Sequence, residues 1–144
     1  MKVALLLALA ALSPSSESGR ALIVGGIELG QSEASVIHAL GKPTSRSVRE
    51  SSDYLPITLT YPGFTIDLDE QGVGRMFSSS RRYCTAAGAC PGMRLAEVQR
   101  LYGPALKMEQ VDGKPRAIIW DDGCWLAFAV KSEVVENTEV ACVP

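Results

Sequence analysis

Leu29-Gly30-Gln31-Ser32-Glu33-Ala34-Ser35-Val36-Ile37-His38-Ala39-Leu40-Gly41-Lys42-Pro43 lines up with Pro91-Gly92-Met93-Arg94-Leu95-Ala96-Glu97-Val98-Gln99-Arg100-Leu101-Tyr102-Gly103-Pro104, with a glycine, a valine and a second glycine in step. A chain that repeats itself is read by its repeat first. Each stretch predicts a short helix, with a glycine before it, apolar residues on one face and a Gly-then-Pro stop behind it. Val36, Ile37 and Leu40 form the first apolar stripe; Leu95, Val98, Leu101 and Tyr102 form the second. The starts differ: Ser32 can accept a hydrogen bond from a free backbone N–H, whereas the matching Arg94 cannot. Glu97 occupies the reciprocal position of a capping box, and its counterpart is Ser35.

Strands follow each helix. Leu55, Ile57, Leu59 and Tyr61 alternate with Pro56, Thr58 and Thr60; Pro62-Gly63 turns the chain; Phe64, Ile66 and Leu68 alternate with Thr65 and Asp67. That period predicts antiparallel strands with one apolar and one polar face. Asp69 to Gly72 turns into a third strand near Val73 to Phe77, and the polar run from Ser45 to Asp53 reads as a loop. In the second half Ala117 to Trp120 leads through Asp121-Asp122-Gly123 to Cys124, Leu126, Phe128 and Val130, alternating with Trp125, Ala127 and Ala129. The chain then turns near Glu133 and returns through Asn137 to Cys142. If Gly63 and Gly123 correspond, Trp125 takes the place of Thr65 on the polar face. The expected fold is α+β: two tandem repeats, over 22–80 and 81–144, each a short helix packed on an antiparallel hairpin or three-stranded sheet.

Residues 1–21 read as a cleaved secretory signal. Lys2 precedes the apolar run Val3 to Leu12, and the small or polar residues Ser13 to Ala21 follow. The run is about ten residues against the roughly 20 that span a bilayer, so no integral membrane segment is expected in the mature chain. The four cysteines, an even set in an exported chain, read as a disulfide framework. Cys84–Cys90 closing a short loop and Cys124–Cys142 stapling a hairpin are the favoured pairs. No C-x-x-C occurs and His38 is the one histidine, so neither zinc nor thiol redox chemistry is expected. A net charge of −2 with interspersed signs carries no footprint for nucleic acid.

The two helix stretches resemble a known family. Tandem Gly-Met-(Ser/Thr)-x-x-x-Val-x-x-x-x-Gly helices, each followed by antiparallel strands, are similar to those of the β-lactamase inhibitor protein-like fold. They are also similar to the small lipoprotein of the outer-membrane β-barrel assembly machinery. Gly92 to Gly103 carries one copy and Gly30 to Gly41 the other, with Arg94 in place of Ser or Thr and Gln31 in place of Met. No cysteine lies near the expected cleavage point to take a lipid.

The resemblance, with Trp125, implies an exported non-enzymatic module, periplasmic or secreted, that binds another protein and inhibits an envelope or extracellular enzyme. A structural or assembly accessory of the cell envelope is the alternative. The expected binding surface is the polar sheet face, with Trp125, Asp67, Thr65 and Thr58, and its rim at Asp69. No catalytic residue, cofactor or metal is expected. A triad would need His38, which lies in the first helix, and the pairs Asp67/Asp69 and Asp121/Asp122 fall at turns, where Asp bonds backbone.

Overall fold

The computed structural model describes residues 22–50 and 53–144, so the signal peptide read over 1–21 lies outside the described residues. In chain order the elements are α1 (Glu33–Leu40), β1 (Ser45–Val48), β2 (Ile57–Tyr61), β3 (Phe64–Asp69) and β4 (Gly72–Ser78). Then come α2 (Leu95–Tyr102), a 3₁₀ turn (Gly103–Ala105), β5 (Lys107–Val111), β6 (Lys114–Asp121), β7 (Cys124–Lys131) and β8 (Val134–Cys142). The fold class is α+β. All eight strands form one antiparallel sheet in the order β1-β2-β3-β4-β8-β7-β6-β5.

The helices form where the sequence pattern places them. Gly41 and Gly103 end them with φ of 85° and 64°, and each glycine N–H reaches back to a helical carbonyl, of Ile37 and Gln99 respectively. Ser32 caps α1 by accepting from the Ser35 N–H at 3.1 Å, while Arg94 makes no side-chain cap. Both helices bury their stripe against one face of the sheet. Val36, Leu95 and Val98 belong to one core with Leu59, Ile66, Met76, Leu126, Phe128 and Val140. The hairpins after β5, β6 and β7 turn at Asp112-Gly113, Asp122-Gly123 and Ser132-Glu133, where both central residues have positive φ. Such turns match the twist of the strands they join. The disulfides are Cys84–Cys90 and Cys124–Cys142, and they use every cysteine of the chain. Cys124 and Cys142 are direct cross-strand partners on β7 and β8. Paired thiols of this kind belong to an oxidising, extracytoplasmic compartment.

Four expectations are corrected. The run from Ser45 to Asp53 is not all loop: Ser45–Val48 is the edge strand β1. All four of its residues are exposed, so it carries no apolar alternation, and only its backbone ladder to β2 makes it a strand. The other edge strand, β5, went unread for the same reason. Each helix is therefore followed by four strands of a single sheet, not by a separate three-stranded one. Leu55 does not extend β2; it sits outside the strand at φ 55°, its side chain packed against Gly74 on β4. Leu101 leaves the second stripe and is 45% exposed. At about 100° per residue, Leu95, Val98 and Tyr102 share one face of α2 and Leu101 points aside.

Candidate functional site

Among the described residues, the second face of the sheet carries no helix. Residues directly opposite in an antiparallel ladder share a face, so the register can be followed across it. One row runs Ser47, Thr58, Asp67, Arg75, Ala141, Trp125 and Trp120. The next runs Thr60, Thr65, Phe77, Glu139, Ala127, Ile118 and Lys107. The expected residues Thr58, Thr65, Asp67 and Trp125 thus lie on one face, as their alternation requires. Asp67 and Trp125 are three strand spacings apart, about 14 Å.

The row divides in two. On β2 to β4 it is a polar ladder. Arg49 Nη1 donates to Thr58 Oγ1 at 2.8 Å, and Thr58 Oγ1 donates to Asp67 Oδ1 at 2.6 Å. Arg75 stands 3.7 Å from Asp67 and donates to Glu139 Oε2 at 2.8 Å. The hydrogen bond to Glu139 holds the Arg75 guanidinium above its ordinary range, and the charges of Glu139 and Asp67 add to it. Every carboxylate of the ladder has a cationic or hydroxyl partner. Asp69, at the rim, accepts the Gln71 N–H at 2.8 Å and so works in its own turn. It also borders a cleft of about 310 Å³ with Tyr54, Leu55 and Glu70.

On β6 to β8 the row becomes aromatic over small side chains. Trp120 and Trp125 meet at a centroid distance of 5.3 Å, tilted by 53°. Ala127 and Ala141 are buried beside them. Trp120 is 53% exposed, with its indole N–H on Glu109 Oε1 at 3.3 Å. Trp125 is only half-buried, but its Nε1 is covered and meets no acceptor among the described residues, and the same holds for Nε of Arg116 on the same face. Sequence reading missed Trp120. The signal was present: a two-residue turn at Asp122-Gly123 sets Trp120 directly opposite Trp125.

Three solved structures share this architecture. One is an extracellular protein containing an SCP domain from Bacillus anthracis (7% identity, TM-score 0.58, 79% of this chain and 44% of that one). A DUF4309 family protein from Bacillus subtilis aligns over 82% of this chain and 83% of its own, at 13% identity and TM-score 0.52. A cysteine-rich secretory protein from Staphylococcus aureus aligns over 79% and 44%, at 8% identity and TM-score 0.50. The likeness is one of fold. The chain spans less than half the length of the first and third of these proteins. No protein family and no curated protein matches the sequence.

His38 and Asp122 lie apart from the face. His38 is exposed on α1, on the helix side of the sheet, and Asp122 occupies a turn at φ 47°. Among the described residues no three His, Cys, Asp or Glu side chains are grouped to hold a metal, and no helix is long and apolar enough to cross a membrane.

Proposed function

We propose that this chain is an exported, non-enzymatic protein-binding module, periplasmic or secreted, whose helix-free sheet face engages another protein. The observation that carries the reading is the Trp120–Trp125 pair, with Trp120 half exposed beside a fully partnered polar ladder. An aromatic anchor flanked by aligned hydrogen-bonding groups is the composition of an interface centre and its rim. Inhibition of an envelope or extracellular enzyme is the sharpest form of this reading, in keeping with the likeness to the β-lactamase inhibitor protein.

The tandem-repeat reading, over 22–80 and 81–144, belongs to the same proposal. It is supported by a strand order that reads alike from either edge and by helix starts docked through equivalent bonds: Gly30 N–H to Val73 O, and Gly92 N–H to Val135 O. A continuous sheet built from two such halves offers one broad face in place of two narrow ones.

The test is a photo-crosslinking residue placed at position 120 in the full chain, expressed in its own host, with the exposed position 38 as control. A protein adduct formed from 120 and absent from 38 is expected, and Trp120→Ala in a chain crosslinked from position 125 should lower its yield by about tenfold or more. Identical adducts from 120 and 38, or none from 120, would end the reading.

A further inference from the structure

We propose that the outer edge of β5 is self-complementary and that two copies of this chain pair through it. The argument begins at the turn. Asp112 and Gly113, at φ 51° and 74°, close a two-residue hairpin, which makes Val111 and Lys114 a hydrogen-bonded pair. Alternation then turns the N–H and C=O of Lys107, Glu109 and Val111 inward to β6 and those of Met108 and Gln110 outward. Pro115 fits this phase: it lies opposite Gln110, in a position that asks no N–H of it. Among the described residues no strand covers the outer side of β5.

An antiparallel approach of a second β5 about a twofold axis at Met108 sets Met108 against Met108 and Lys107 against Glu109, twice over. In that register outward groups meet outward groups. Met108 exchanges two backbone bonds with its counterpart, and each Gln110 N–H faces the Leu106 carbonyl of the other copy. Slipping by two residues, the shift that keeps this phase, sets Lys107 against Lys107 in one direction and Glu109 against Glu109 in the other. Like charges directly opposite are destabilising, so one register is selected. The two ion pairs lie on the helix-free face. On the helix side lies Met108, 47% exposed. The opposite edge is different: β1 has four residues, and its Arg46 is already bound by Glu33. Unprotected edges are ordinarily blunted by charge; here the charge pattern complements itself.

The contact is small, so the dimer is weak and depends on concentration and salt. Sedimentation of the full mature chain over roughly 10 to 500 µM should show the mass rising from one copy toward two, a range suited to an interface below about 1,000 Å². Lys107→Glu and Glu109→Lys, each alone, should weaken association by about tenfold or more, and the two together should restore it. Gln110→Pro removes an N–H that the monomer does not use and should leave a folded monomer; it serves as the second variant if a charge change perturbs folding. A wild type that stays monomeric throughout overturns the proposal. So do single variants that associate like wild type, or a double variant that fails to recover.

Discussion

The two helix starts are docked alike and closed differently. Before α1, the Gly30 N–H bonds Val73 O at 2.8 Å and the Val73 N–H returns to Gln31 O at 2.9 Å. Before α2, the Gly92 N–H bonds Val135 O at 2.7 Å and the Val135 N–H returns to Met93 O at 2.9 Å. From there the halves diverge. Ser32 lends a hydroxyl to the first turn of α1, whereas the Leu95 N–H of α2 takes the Glu133 carbonyl at 2.9 Å. Four N–H groups are orphaned at any helix start. A side chain relieves one in the first case and a β-turn does so in the second, which frees Arg94 from a role its chemistry cannot fill.

The largest expected effect lies in how closely each start is docked. Gly72 immediately precedes Val73, at φ 112°, and a Cβ there would stand 2.4 Å from the Gly30 carbonyl oxygen. The obstacle is backbone and cannot swing away. Val134 holds the same place before Val135, yet it carries a full side chain and is 36% exposed. Gly72→Ala should therefore cost about 3 kcal/mol or more, in the class of strained and overpacked substitutions, and Val134→Ala less than about 1 kcal/mol. Urea unfolding of both variants checks this. Equal midpoints would mean that the first dock is no tighter than the second.

The capping difference comes next. Ser32→Ala removes the hydroxyl that serves Ser35 and should cost about 1 kcal/mol. Arg94→Ala removes nothing that caps α2 and should stay within about 0.5 kcal/mol of wild type. If both alanines cost alike, the Glu133 carbonyl is not relieving α2 and the comparison fails at that point.

Legibility followed burial. The helices and the faces of β2, β3 and β7 were readable because each half-buried element repeats its apolar residues at the period of its own geometry, and the disulfides because an even set of cysteines in an exported chain pairs. Trp125 was placed on the helix-free face by that alternation together with the correspondence of Gly63 and Gly123. The edge strands escaped because burial does not pattern them: β1 is exposed throughout, and β5 mixes Lys107, Met108, Glu109 and Gln110. The polar ladder was half legible. Thr58 and Asp67 fell on adjacent strands joined by a short turn, whereas Arg75 and Glu139 meet only because β4 pairs with β8, 64 residues apart in sequence. No local pattern encodes that pairing.

The smallest expected effect separates the helix ends. The end of α1 is tied by Tyr61, reaching from β2 with its hydroxyl donating to Gly41 O at 2.8 Å. The end of α2 is tied by its own Tyr102, whose hydroxyl donates to Thr85 Oγ1 at 2.6 Å within the loop closed by Cys84–Cys90. Burial holds both phenols above their ordinary value, and for Tyr102 the Thr85 bond pulls part of the way back. With the folded value raised, stability is fully present below the unfolded phenol value of about 10. It is lost as pH rises above that, because the unfolded chain releases its protons first. Tyr102→Phe should cost less than about 1 kcal/mol at neutral pH, since Thr85 Oγ1 still accepts the Ala89 N–H at 3.0 Å. The same variant should flatten the alkaline decline, and Tyr61→Phe should flatten it independently. Urea midpoints of the three proteins from pH 8 to about pH 11 read the slopes. A Tyr102→Phe slope identical to wild type would mean that the α2 tie contributes nothing to the proton linkage, leaving Tyr61 and the α1 end to carry it.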